Sequence, residues 1–175
     1  MKKRIIIYLL LTTSMMIVTA CTDTSPTIEP TVDMSEIRGL LPTVSADEIQ
    51  ALAQLADEET LTLGRQVYVA ECASCHGIEG EGQFPDAPMQ PDETGRLGAP
   101  PHNGDGHTWH HDDNLLINYV IEGGQGNPAQ FYPMPAFDET LSQEEIKAVI
   151  AYIKSLWSEE QRLIQAERTL QIMSQ

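Results

Sequence analysis

Cysteine is scarce in this chain of 175 residues: there are three, Cys21, Cys72 and Cys75. No second Cys-x-x-Cys pair exists, so a four-cysteine zinc site is excluded. Basic residues are few as well, ten Lys and Arg against 26 Asp and Glu, for a formal charge of −16. Such an acidic balance disfavours nucleic acid and anionic lipid surfaces as partners. It favours a partner with a basic docking face, and it also serves solubility. There is no internal repeat, no glycine-rich phosphate loop and no strand pattern.

What the chain does have is Cys72-Ala73-Ser74-Cys75-His76. Two cysteines separated by two residues and followed at once by histidine form the c-type haem attachment pattern. Each spacing has a chemical reason. Two thiols add to the two vinyl groups on one edge of a porphyrin and leave two thioethers. The next residue then falls beneath the ring centre, where the His76 imidazole reaches iron. A dithiol redox pair would be expected beside a βαβ pattern, and none is present.

The N-terminus places this motif outside the cytoplasm. Lys2, Lys3 and Arg4 form a positive region, and an apolar run from Ile5 to Val18 follows. The run is short for a membrane span and ends in small residues, as a signal peptide does. Val18-Thr19-Ala20-Cys21 resembles a bacterial lipobox, so residues 1–20 are expected to be removed and Cys21 to carry lipid. An uncleaved anchor is the alternative, and both readings tether the protein to the outer face of the cytoplasmic membrane. Cleavage takes three basic and no acidic residues, which moves the charge from −16 to −19. With Cys21 on lipid and Cys72 and Cys75 on haem, no cysteine remains for a disulfide.

Residues 21–44 are rich in Thr, Pro, Ser and acids and read as a flexible tether of roughly 25 Å r.m.s. span. A domain over 45–158 follows. Ser45-Ala46-Asp47-Glu48 is a capping box that opens a short amphipathic helix over 45–57. A second helix runs from about Leu61 into the haem motif, and its Gly64 predicts a close crossing with another helix. Gly77 to His111 is loop-like. A third helix is capped by Asp112 or Asp113 and ends at Gly123. Met134 lies in the irregular stretch after it. Ser142-Gln143-Glu144-Glu145 caps the last helix, whose Ile146, Val149, Ile150, Ile153, Leu156 and Trp157 recur at helical steps. Residues 159–175 form a C-terminal helical extension without Pro or Gly. If the helix were continuous to Met173 it would measure about 45 Å, so the last turns must overhang, fold back or dock.

Gly64-Arg65-Gln66-Val67-Tyr68 before the haem motif, Tyr132-Pro133-Met134-Pro135-Ala136-Phe137, and a closing helix ending Ile153-Lys154-Ser155-Leu156-Trp157 together resemble a class I, mono-haem c-type cytochrome over about residues 60–158. The resemblance implies an all-α cytochrome c fold, with three to five helices and long loops wrapped around one covalent haem c. It also implies that Gly64 and Tyr68 meet the last helix near Ile153 or Trp157.

Iron then needs a donor opposite His76. Thioether sulfur suits low-spin haem iron. Met34 falls in the tether, Met173 near the terminus and Met89 only thirteen residues after His76. Met134 is held between two prolines and precedes the last helix, where the family places its axial methionine. The other donors are His102, His107, His110 and His111, as a bis-histidine ligand or as a separate copper or zinc site. The resemblance further implies that the carbonyl of Pro100 or Pro101 accepts from the axial histidine, and that Trp109 or Tyr132 bonds a propionate or fills volume. The usual Gly-Pro-x-Leu form is altered here by Ala99 and His102.

The implied function is a lipid-anchored electron carrier between respiratory or photosynthetic partners, not an enzyme, with no small-molecule substrate. A subunit fixed in a larger quinol-oxidising or terminal oxidase complex is the rival reading. An open-site haem enzyme or sensor is the third.

Overall fold

The computed structural model describes residues 44–88, 90–124 and 126–175. The expected signal peptide, Cys21, the tether up to residue 43, Met34 and Met89 lie outside the described residues. Among the described residues the regular structure is helical, and pairing between extended segments is limited to two isolated bridges, Pro91 with Leu97 and Leu97 with Phe131.

Helix α1, Ala46–Leu52, starts at the capping box: Ser45 Oγ accepts from Glu48 N at 3.2 Å, and Glu48 Oε2 accepts from Ser45 N at 3.0 Å. Helix α2, Glu58–Val67, begins three residues before the expected Leu61. Asp57 explains this, because its Oδ1 accepts from Thr60 N at 2.9 Å and satisfies an orphan amide of the first turn. The helix widens into a π turn, Tyr68–Cys72, and closes as α3, Ala73–His76. Gly77, at φ +82°, ends it in a conformation that a side chain would resist.

Helix α4, Asp113–Glu122, takes Asp112 as its cap, whose Oδ1 accepts from Leu115 N at 3.2 Å. Helix α5, Gln143–Ser155, has the expected Ser142–Glu145 box. It does not continue to Met173. Ser158 turns extended (φ −64°, ψ 161°) and makes its own capping box with Gln161, which starts α6, Glu159–Met173. The extension therefore folds back, and α6 lies against α1 and a 3₁₀ turn, Thr108–His110.

The most extensive helix contact is the crossing of α2 on α5. At Gly64 a Cβ would run into the backbone of Ala148 and stand 2.8 Å from Tyr152 Cβ. The crossing therefore sits at Ala148 and Tyr152, toward the N-terminal side of the expected Ile153 or Trp157. Two small residues fix this point of closest approach, and Tyr68 then packs its ring 5.2 Å from that of Tyr152. The core gathers around the crossing: Val67, Tyr68, Cys72, Leu116, Val120, Phe137, Ile146, Val149, Ile150, Ile153 and Trp157. Leu97 joins the two long loops, donating to Gln130 O at 2.8 Å and accepting from Tyr132 N at 3.1 Å.

Candidate haem site

The end of the α2–π–α3 rod carries the attachment motif. Cys72 is buried in the core and Cys75 is exposed, and neither forms a disulfide. Burial, followed by the neighbouring Glu71 carboxylate and Cys75, pushes the Cys72 thiol up to about 11. His76 closes the rod and is 6% exposed. Its Nδ1 lies 2.8 Å from the carbonyl of Pro100. A carbonyl only accepts, so Nδ1 carries the proton and Nε2 keeps its lone pair. Burial depresses the basicity of the ring, against the opposing effect of the Pro100 bond. A neutral imidazole with a free Nε2 is what metal ligation requires.

Of the two prolines the resemblance implied, Pro100 makes the contact. The carbonyl of Pro101 instead accepts from Thr108 Oγ1 at 3.0 Å. The aromatic donors are committed within the protein. Trp109 Nε1 donates to Gly106 O at 3.0 Å, and Tyr132 OH donates to Asp92 Oδ2 at 2.7 Å. Hydrogen bonds from Thr94 and Tyr132 hold the Asp92 carboxyl far below the usual carboxylate range.

Met134 is half-buried and packs on the same core cluster that contains Cys72. Its segment is fastened to the end of α4. Gly124 N donates to Met134 O at 3.0 Å, and Phe137 N donates to Val120 O at 3.0 Å. A Cβ on Gly123 would stand 2.6 Å from Met134 O. Met173, by contrast, is 69% exposed near the end of α6.

The four histidines separate into two groups. His102 stacks its ring on His76, with centroids 3.8 Å apart and planes 18° apart. It therefore lies against the face of the His76 ring, and cannot at once be the donor on the opposite side of an iron bound by His76. His107 and His111 sit with ring centroids 4.9 Å apart, His107 and His110 at 5.9 Å, and Trp109 stacks on His110 at 3.7 Å. Among the described residues no group of three or more His, Cys, Asp or Glu is placed to hold a metal ion.

The residues thus fit a covalent haem. Two unpaired thiols and a histidine with one free ring nitrogen lie within five residues where the π turn meets α3, and a thioether packs on the same core. Residues 61–157 match the family model for Cytochrome c. The chain is a member of the cytochrome c family. This cytochrome carries one covalent haem c, and Cys72 and Cys75 have the spacing of its attachment motif.

Its relatives are of two kinds. It is 30% identical over 124 residues to the Cbb3-type cytochrome c oxidase subunit CcoP of Rhodobacter capsulatus, covering 67% of this chain and 38% of the relative. It is 30% identical over 123 residues to the gluconate 2-dehydrogenase cytochrome c subunit of Pantoea cypripedii, covering 66% and 24%. It is 31% identical over 96 residues to cytochrome c6 of Chlorolobion braunii, covering 55% and 90%. The chain therefore spans well under half the length of the first two relatives. No solved structure matches it.

Two features of the cytochrome's site have little or indirect signal in the sequence. In the sequence Gly123 reads as a helix end, with nothing to mark the seat that Gly123 and Gly124 make for Met134. The stack of His102 had a signal in the altered motif, since Ala99-Pro100-Pro101-His102 puts histidine where Gly-Pro-x-Leu has leucine.

Proposed function

We propose that this cytochrome c is a membrane-anchored, one-electron carrier whose iron is bound by His76 and Met134. The observation that carries the reading is the pairing of His76 Nδ1 with Pro100 O, which reserves Nε2 for iron. Met134 is supported by its place on the core cluster and by the backbone bond that seats it on Gly124. The haem supplies a one-electron couple, and a His/Met pair raises its potential relative to bis-histidine ligation. The protein's own part is to orient the imidazole, hold the thioether and exclude water from the core.

Ferric spectra test the ligation. A weak near-infrared methionine–iron band, lost in Met134→Ala, is the expected outcome. A high-spin ferric signal at neutral pH, with tight carbon monoxide binding to the ferrous protein, would favour the open-site enzyme or sensor instead.

Membrane attachment rests on the lipobox-like Val18-Thr19-Ala20-Cys21. No helix among the described residues is long and apolar enough to cross a membrane. Mass spectrometry of the mature N-terminus should find an acylated Cys21, and Cys21→Ser should release the protein from membranes.

A second reading, a subunit fixed in a respiratory complex, is favoured by the oxidase and dehydrogenase subunits among the relatives and by the α1–α6 pair, which lies outside the matched residues 61–157. Extraction in mild detergent followed by gel filtration separates the readings. A lone small species fits a free carrier, and a large co-eluting assembly fits a subunit. For a carrier with a basic-faced partner, the transfer rate falls steeply with ionic strength.

A further inference from the structure

His102 occupies an unusual position for a histidine. Its backbone is pinned at both ends: N donates to Gly80 O at 2.8 Å, and O accepts from Trp157 Nε1 at 2.7 Å. Its ring lies flat on His76, and the edge of the Tyr68 ring approaches it at 5.9 Å between centroids. Its Nδ1 is sealed from solvent and has no hydrogen-bond partner, the sole buried side-chain nitrogen or oxygen in that state among the described residues. An apolar side chain would fill this space without stranding a polar atom. Bonding at Nδ1 therefore does not account for a histidine here, whereas its flat face lies against the His76 imidazole.

We propose that His102 is a positioning residue for the axial ligand. The Pro100 carbonyl fixes one edge of the His76 ring but leaves it able to rock about that bond. A second planar ring on its face, on a backbone held by Gly80 and Trp157 and met at the ring by Tyr68, removes this freedom and sets the plane in which Nε2 would meet the iron. The inference rests on the reading that His76 binds iron. It adds that the plane of that imidazole is dictated from outside the attachment motif.

The test uses holo-cytochrome with haem attached, comparing wild type, His102→Leu and His102→Phe. Leucine fills the volume without a plane, and phenylalanine restores the plane without the nitrogens. The readouts are the ferric electron paramagnetic g-values and the spread of the haem-methyl shifts in the proton spectrum, with thermal midpoints recorded alongside. Both report the orientation of the axial ring, which a purely volume-filling residue would not move. Leucine should broaden or shift the largest g-value and narrow the methyl spread, and phenylalanine should return both toward wild type. Wild-type signatures in folded His102→Leu would overturn the inference and leave His76 ligation standing, as would failure of His102→Phe to restore them. A wild-type protein without low-spin ferric signals would overturn both.

Discussion

Gly64 of α2 lies directly on the backbone carbonyl of Ala148 in α5, so that two helices touch main chain to main chain. Gly64→Ala would gain about 1 kcal/mol of helix propensity. It would also drive a Cβ into Ala148 and bring it to 2.8 Å from Tyr152 Cβ, and overpacking of this kind costs about 1–3 kcal/mol. The crossing is backbone on backbone and has little room to yield, so the clash wins. The urea midpoint of the holo-protein should fall, while the haem spectrum stays unchanged. A midpoint at or above wild type would show that the helices can part without cost.

Gly123 tests the seat of Met134. Its φ of +79° with ψ −179° lies in a region essentially reserved for glycine and strains any residue with a side chain by about 1–3 kcal/mol, and its Cβ would also meet Met134 O at 2.6 Å. Gly95 has a similar φ of +83° but nothing within 4 Å of its would-be Cβ. Gly123→Ala should therefore weaken the near-infrared methionine band and raise carbon monoxide binding by the ferrous protein. Gly95→Ala should cost only the backbone strain and leave the spectrum alone. Equal spectra in the two variants would separate Gly123 from iron ligation.

The contrast between these glycines marks what a sequence can disclose. Local chemistry was legible: Ser45 and Ser142 announced helix starts through their own side chains, Gly123 announced a helix end, and the spacing of Cys72, Cys75 and His76 announced the cofactor. Contacts across long separations were not. The choice of Pro100 over Pro101 depends on a bond spanning 24 residues, and the two prolines are indistinguishable in order alone. The π turn Tyr68–Cys72 holds no Gly or Pro and no side-chain cap that would mark it. Ser158 had a signal, a serine three residues before Gln161, but the absence of Pro and Gly after it suggested continuity. A cap can break a helix as firmly as a proline when the chain has something to fold back onto.

What α6 folds back onto is held in part by one side chain. Arg162 Nε donates to Ala53 O at 3.1 Å, and its Nη1 donates to Trp157 O at 2.7 Å. Those carbonyls stand at the C-terminal ends of α1 and α5, where a cation is favoured by both helix dipoles. Hydrogen bonds involving a charged group contribute about 1.5–3 kcal/mol. Arg162→Ala should lower stability by about that amount and speed hydrogen exchange in α1 and α6. Haem spectra should change little, since its hydrogen bonds go to the Ala53 and Trp157 carbonyls and not to the attachment motif or Met134. Unaltered exchange in α1 would mean that the remaining packing, including buried Gln165 and Ala166, suffices to dock the pair.

Stability should fall with acidity in two steps. Glu48, Asp57, Glu81, Asp92 and Glu145 all titrate below their ordinary values of 4.5 for Glu and 3.8 for Asp, chiefly because each carboxylate accepts hydrogen bonds from a cap or turn. The unfolded chain takes up these protons before the folded one does. The stabilisation is therefore complete above the ordinary values and is lost as the pH falls through the lower, folded ones. His111 adds an earlier step. Burial first, then the neighbouring His107, Arg168 and His110, depress its value below the ordinary 6.5, with Asp112 opposing. As a base with a depressed value it also favours the fold at high pH, and that contribution fades as the pH drops below about 6.5. Urea midpoints of the holo-protein measured from pH 8 to pH 3 should decline gently below neutrality and steeply in the carboxylate range. His111→Gln should flatten the first decline and leave the second. Asp92→Asn should lower the neutral-pH midpoint and soften the second, because its bonds from Thr94 and Tyr132 no longer reach a charge. A profile for Asp92→Asn parallel to wild type would show that the turn it anchors does not couple to folding.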